Sequence, residues 1–159
     1  MDIPGSNERR KVIGVIGAAA ASPEGLRLAE EVGRLIADAG AVLVCGGLGG
    51  VMESAARGCS VAGGEVLGVL PGAKADEANE YVTLAVPTNM GHARNVIIAH
   101  TAGALVAIEG EYGTLSEAAI ALKIDKKVFA LRPQHQLTGV IVVDSAVEAV
   151  SEAMAAISC

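Results

Sequence analysis

Glu109-Gly-Glu-Tyr-Gly-Thr-Leu-Ser-Glu117 brings a glycine-rich turn and several carboxylates into one short stretch. An apolar run, residues 104–108, ends at it, and a helical pattern starts within it. A glycine turn between a strand and a helix start presents backbone N–H groups outward, and the helix dipole favours an anion there. A second turn of this kind, Cys45-Gly-Gly-Leu-Gly-Gly50, follows another apolar run. Two such turns in one small chain point to a phosphate-bearing, nucleotide-like ligand. Gly46, Gly47, Gly49 and Gly50 would line one side, and Gly110, Gly113 and Thr114 the other. Gly17, which closes the first apolar run, is a further candidate for the same site.

These turns need elements to hold them. Residues 11–17 read as a buried strand, because a near-continuous apolar run suits a parallel sheet covered on both faces. Ser22-Pro23 reads as a helix start, with Gly40 as its stop. Strands follow at residues 41–45, 65–69, 81–86, 104–108 and 127–131, with a last short one at 140–143. Helices read at 51–62, 90–102 and 114–124, and Ser145 with Glu148 forms a capping box for a final helix. Residues 71–79 read as a mobile surface loop, and 132–136 as a polar connection only. The regular alternation predicts a single α/β domain over residues 1–159. Its expected form is a Rossmann-like, doubly wound parallel sheet of six to seven strands in three α/β/α layers. Residues 1–10 are expected to be flexible. Ligands of such sheets bind beyond the carboxyl ends of the strands, where both glycine turns lie.

Composition narrows the partners. The 159 residues are 52% apolar, yet no run approaches the roughly 20 residues of a membrane span. A net charge of −6, no Trp and only three other aromatics argue against nucleic-acid binding. The polar start has no apolar targeting segment, so a cytoplasmic location is expected. The three cysteines lack metal spacing and read as thiols. His92 and His100 do not complete a metal-ligand set, so no metal and no required cofactor are expected. Lys123, Lys126 and Lys127 stand where a helix end favours cations, and they give no support to Schiff-base chemistry.

The glycine turns match neither common nucleotide motif. No Lys-Ser or Lys-Thr follows Gly46–Gly50, and Met52 holds the place of the third glycine of a dinucleotide fingerprint. On their own they could serve only tight turns and close packing.

Gly46-Gly-x-Gly-Gly-Val-Met-Glu53, then Ala93-Arg94-Asn95, then Tyr112-Gly-Thr-Leu-Ser-Glu117 resembles the Lonely Guy family and its relatives. These include cytokinin-nucleotide phosphoribohydrolases, proteins labelled lysine decarboxylases, and molybdenum cofactor carrier proteins. The resemblance runs roughly from residue 11 to 131. It implies a homodimer, a hydrolase glutamate at Glu117 and a substrate-holding arginine at Arg94. Three departures are informative. Glu109 replaces the proline of the hydrolase signature, Glu111 replaces its second glycine, and Asn95 replaces a lysine. They move the chain toward the carrier-like branch, whose ligand would be a molybdopterin-type cofactor or a nucleotide monophosphate.

Each candidate also has a plainer reading. Thr114 and Glu117 have the spacing of a capping box. Arg94 could be a solvated surface arginine. Glu111 separates the possibilities, because a carboxylate about 5 Å from a phosphate charge costs about 3 kcal/mol at an effective dielectric near 20. Either Glu111 turns away, or the phosphate sits on Gly46–Gly50 instead. Three functions therefore stand: a non-catalytic binder or carrier, which is favoured; a phosphoribohydrolase using Arg94 and Glu117; and a ligand-free interaction protein.

Overall fold

The apolar runs become the strands of one sheet, which a computed structural model describes over residues 8–157. Most of the segment expected to be flexible, residues 1–7, lies outside the described residues. The element order is β1 (Val12–Gly17), α1 (Pro23–Asp38), β2 (Val42–Cys45), α2 (Val51–Val61), β3 (Val66–Leu70), β4 (Leu84–Pro87), α3 (Arg94–Thr101), β5 (Ala104–Ile108), α4 (Tyr112–Lys123), β6 (Lys127–Leu131), β7 (Ile141–Val142) and α5 (Ala146–Ala156). The seven strands run in the order β4-β3-β2-β1-β5-β6-β7, and every pairing is parallel.

Alternation along each strand divides the core. Ile13, Val15, Leu43, Cys45, Val106 and Phe129 face α1, α2 and α5. Ile16, Val44, Val69, Leu105 and Val128 face α3 and α4. Two apolar faces per strand require helices on both sides, hence three layers. The chain winds outward from β1 in both directions, so the order reverses between β1 and β5. A cleft opens at such a reversal, beyond the strand ends.

Ser22 caps α1 by accepting from the Gly25 N–H at 3.0 Å, and Pro23 occupies the first helical position, as its fixed φ favours. Ser145 caps α5 in the same way, and Glu148 reaches back to the Asp144 N–H. Lys126 donates to the His100 and Ala102 carbonyls where α3 ends. Among the described residues, no helix is long and apolar enough to cross a membrane.

Several expected elements differ. The helix expected at 90–102 begins as a tight 3-10 turn, Gly91–Ala93, and becomes α-helical only at Arg94. The fourth strand starts at Leu84 rather than at residue 81. The loop at 71–79 is tied down: it contains a 3-10 turn, and Asn79 donates to the Gly47 and Leu48 carbonyls. That tether braces the first glycine turn.

Glycine also sets the approach of α1 and α2. A Cβ at Gly58 would lie 1.9 Å from the Glu30 carbonyl oxygen, and one at Gly33 would lie 1.9 Å from that of Ala55. The two helices therefore meet backbone to backbone. Gly58→Ala improves helix propensity by about 1 kcal/mol but forces the helices apart, and overpacking outweighs propensity. The expected net loss is about 2 kcal/mol, read as a lower urea midpoint. An unchanged midpoint would contradict this packing.

Candidate functional site

A cavity of about 380 Å³ lies at the β1/β5 reversal. The turn after β1 (Ala18–Ala20), the first glycine turn, the start of α3 and the start of α4 enclose it. Of the residues singled out from sequence, Gly17, Gly46, Arg94, Gly113, Thr114 and Glu117 line it together. Gly47, Gly49, Gly50 and Gly110 are not in its wall. Gly50 borders a neighbouring hollow with Glu53, Ser54 and Arg57. Gly47 has φ 76° and packs on Leu70, so its role is the turn itself. Gly110, at φ 107°, lies so close to the Thr114 side chain that a Cβ would overlap it.

Arg94 is buried, not a solvated surface residue. The 3-10 turn before α3 brings its side chain under the first glycine turn. Its Nε donates to the Val69 carbonyl at 3.0 Å, near the end of β3, and Nη1 donates to Asn95 Oδ1. Gly46 makes room for the guanidinium: a Cβ there would come within 2.7 Å of Nη2. Burial lowers the pKa of Arg94, and the charge of Glu117 partly opposes that. An arginine remains ionised after such a change.

Glu117 is also buried, at 9% exposure. The capping box expected from Thr114 and Glu117 does not form. α4 begins two residues earlier, at Tyr112; Glu111 occupies the cap position and no side chain caps the helix. Thr114, Glu117, Ala118 and Ala121 then share the buried face, at helical spacing. Glu117 thereby lines the cavity. Among the described residues its carboxylate has no ion pair within 4 Å. Burial pushes its pKa from 4.5 up to about 7, against a smaller downward pull from Arg94.

The two replacement glutamates behave differently. Glu109 has φ 52° and turns its carboxylate away from the cleft, toward the start of α1. There it accepts from the Ser22 N–H at 3.2 and 3.3 Å and from the Ser22 hydroxyl. Its charge is thus taken up by a helix N-terminus. Glu111 is exposed and borders the cavity, so an acid does stand beside the second turn.

His92, Asn95, Met52 and Gln134 also line the cavity. The connection at 132–136 is thus more than polar chain. Tyr112 stacks on His135, with ring centroids 6.4 Å apart, beside Gln134 at the cavity edge. The signal that could have found Gln134 is its position beyond the end of β6, on the edge that carries both glycine turns. Cys45 stands close by but is fully buried, and burial raises its pKa to about 11. Cys59 behaves alike, also at about 11. Since the thiolate is the reactive form, alkylation of both at pH 7.5 should require unfolding. Mass spectrometry of the labelled native protein checks this, and rapid native labelling of Cys45 would contradict its burial.

Residues 10–157 match the model of the SLOG cluster4 family. The chain belongs to the SLOG cluster4 family. A family relative, an uncharacterised protein from Archaeoglobus fulgidus, is 49% identical over 139 residues, which cover 87% of this chain and 91% of that one. Two solved structures share the SLOG fold closely. The molybdenum cofactor binding protein of the phototrophic bacterium Rippkaea orientalis superposes with a TM-score of 0.89 at 33% identity, covering 94% of this chain and 99% of that chain. The molybdenum cofactor carrier protein of Chlamydomonas reinhardtii gives 0.82 at 33% identity, covering 92% and 98%. The expected resemblance to the carrier-like relatives of the Lonely Guy family therefore stands, as does the Rossmann-like α/β/α architecture.

Proposed function

We propose that this protein binds a phosphate-bearing pterin- or nucleotide-type molecule in the β1/β5 cleft and holds it without turning it over. The molybdenum cofactor is the proposed cargo. The carrying observation is Arg94, a buried guanidinium held against a glycine backbone and facing a cavity of ligand size. Burial of a charge is costly, and a guanidinium poised to pair with phosphate gives that cost a purpose. Similarity over more than nine-tenths of both chains to two proteins named for binding or carrying the molybdenum cofactor supports the choice of cargo. The residues suit such a group: Arg94 for its phosphate, and the apolar wall of Ala18, Ala19 and Met52 for a flat ring.

The open start of α4 is a poorer phosphate seat, because Glu111 borders it. We place the phosphate between Arg94 and the Gly46 turn. The test is extraction: protein purified from a host that makes molybdenum cofactor should release a fluorescent oxidised pterin at near one equivalent. Pterin-free protein that also fails to take up the cofactor when mixed with it would overturn the carrier reading.

One observation favours a second reading. Glu117 titrates near neutrality inside the cleft, as a general acid or base does. As a phosphoribohydrolase, the protein would use it to activate the water that replaces the base on the ribose. Release of free base from nucleoside 5′-monophosphates, lost in Glu117→Gln, would establish that activity; no release from any of them would remove it. We also propose a homodimer. Leu84 and Val86 on β4 and Val96 on α3 are exposed apolar residues that a second copy could cover. Sedimentation as a monomer at micromolar concentration would contradict this.

A further inference from the structure

The cleft is acidic for an anion site. Two carboxylates, Glu111 and Glu117, line it with a single arginine. A ligand that presented only phosphate would meet repulsion from whichever of these carboxylates is ionised. Glu117 sharpens the problem, because it lies nine-tenths buried and without an ion-pair partner within 4 Å among the described residues. No fully buried side-chain polar atom among the described residues lacks a hydrogen-bond partner, so the Glu117 oxygens, which have none in the protein, open onto the cavity, where a ligand's donors can take the place of water. Arg94 does not supply such donors: its Nε and Nη1 are held by the Val69 carbonyl and Asn95, its Nη2 lies against Gly46, and no salt bridge joins it to Glu117 among the described residues.

We infer that Glu117 reads the heterocycle of the ligand, accepting two adjacent N–H groups from a 2-amino-4-oxopyrimidine edge, the edge that guanine and pterins share. Arg94 takes the phosphate in the same cleft. This deepens the ligand-binding reading and rests on it. The chemistry selects that edge. A carboxylate presents two acceptors side by side, and guanine and pterins offer a ring N–H beside an amino group to match them. Hypoxanthine keeps the ring N–H but lacks the amino group. Adenine offers its amino group beside a bare ring nitrogen, whose lone pair faces the second carboxylate oxygen. The cavity has apolar wall for a flat ring, with Val15, Ile16, Ala18 and Met52 among its lining residues.

The direction of proton exchange separates this arrangement from its opposite. N–H donors favour the ionised carboxylate, so binding at pH 6.5 releases a proton from Glu117, whose ordinary state there is largely protonated. A phosphate placed on Glu117 would instead draw a proton in. The other charged or titratable groups facing this space are Arg94 from α3, His92 from the turn before it and Glu111 from the loop before α4; Cys45 from β2 stands behind the wall, fully buried.

Calorimetric titration of the full-length protein with GMP, IMP, AMP and inorganic phosphate, at pH 6.5 in two buffers of different ionisation enthalpy, tests the proposal. The expected order is GMP over IMP over AMP, with GMP favoured over AMP by about thirtyfold or more. The nucleotide phosphate itself sheds protons when Arg94 pairs with it, so GMP binding should release more protons than AMP binding. Glu117→Gln should bring the three nucleotides within about threefold and remove that excess, whereas Glu111→Gln should keep both. A His92→Gln background removes the imidazole from the proton count and should leave the excess in place. Equal affinity for GMP and AMP, a preference that survives Glu117→Gln, or no excess proton release with GMP would overturn the inference while leaving the ligand-binding reading intact. Failure of all four probes and of the pterin extraction would overturn both.

Discussion

Arg94→Met lowers affinity for a phosphate-bearing ligand by about a hundredfold. Charge-assisted hydrogen bonds contribute about 1.5–3 kcal/mol each, and a buried guanidinium can offer two to one phosphate. Methionine keeps much of the volume, so the fold should survive, although the Val69 carbonyl and Asn95 lose their donor. Arg94→Lys should recover only part of the affinity, because an ammonium cannot reproduce the planar fork. Titration with GMP or with inorganic phosphate reads the effect. The same substitution should raise the pKa of Glu117 further, since Arg94 is the group that pulls it down. A carboxyl titration followed by NMR would show that rise, and no change would mean that the two groups do not share one cleft.

Glu117→Gln should stabilise the protein, and only above a defined pH. In the folded state burial raises the pKa of this carboxyl to about 7, against 4.5 when unfolded. Below pH 4.5 the group is protonated in both states and has no effect on stability. Between pH 4.5 and 7 the unfolded chain ionises first, so stability falls as pH rises. Above pH 7 the folded protein holds a buried carboxylate at a full cost of about 3 kcal/mol, from 1.36 kcal/mol per pKa unit. A neutral amide avoids that cost. The variant and the parent should therefore melt together at pH 4, while at pH 8 the variant should melt about 6–10 °C higher for a domain of this size. Equal melting temperatures at pH 8 would show that Glu117 is not buried unpaired. A residue that weakens the fold when ionised and sits in the cleft is expected where function, rather than stability, selects it.

The sheet was legible because its strands are nearly continuous apolar runs separated by helical patterns. That pattern admits few arrangements besides a covered parallel sheet. The position of the cleft followed, since glycine turns at two strand ends mark the edge where such sheets bind ligands. Side-chain direction was less legible. Thr114 and Glu117 carry the spacing of a cap, but the backbone turns early. Glu109 and Gly110 take left-handed conformations, and α4 starts at Tyr112. That two-residue change turns Glu117 from the helix start to its buried face. Arg94 was ambiguous for a similar reason, because the 3-10 turn at Gly91–Ala93 decides whether it meets solvent or the first glycine turn. Glu109 reads in sequence as an intruding acid, yet its partner Ser22 lies 87 positions earlier in the chain. Local patterns cannot show contacts of that range. Gln134 sits in a segment without periodicity, and only its place beyond the end of β6 marks it.

The most direct test of the central claim is a crystal structure of the protein with GMP bound. The account predicts a nucleotide between the ends of β1 and β5, with its phosphate on Arg94 and the Gly46 turn and its base against Glu117. A nucleotide held elsewhere on the surface, with Arg94 and Glu117 untouched, would contradict it.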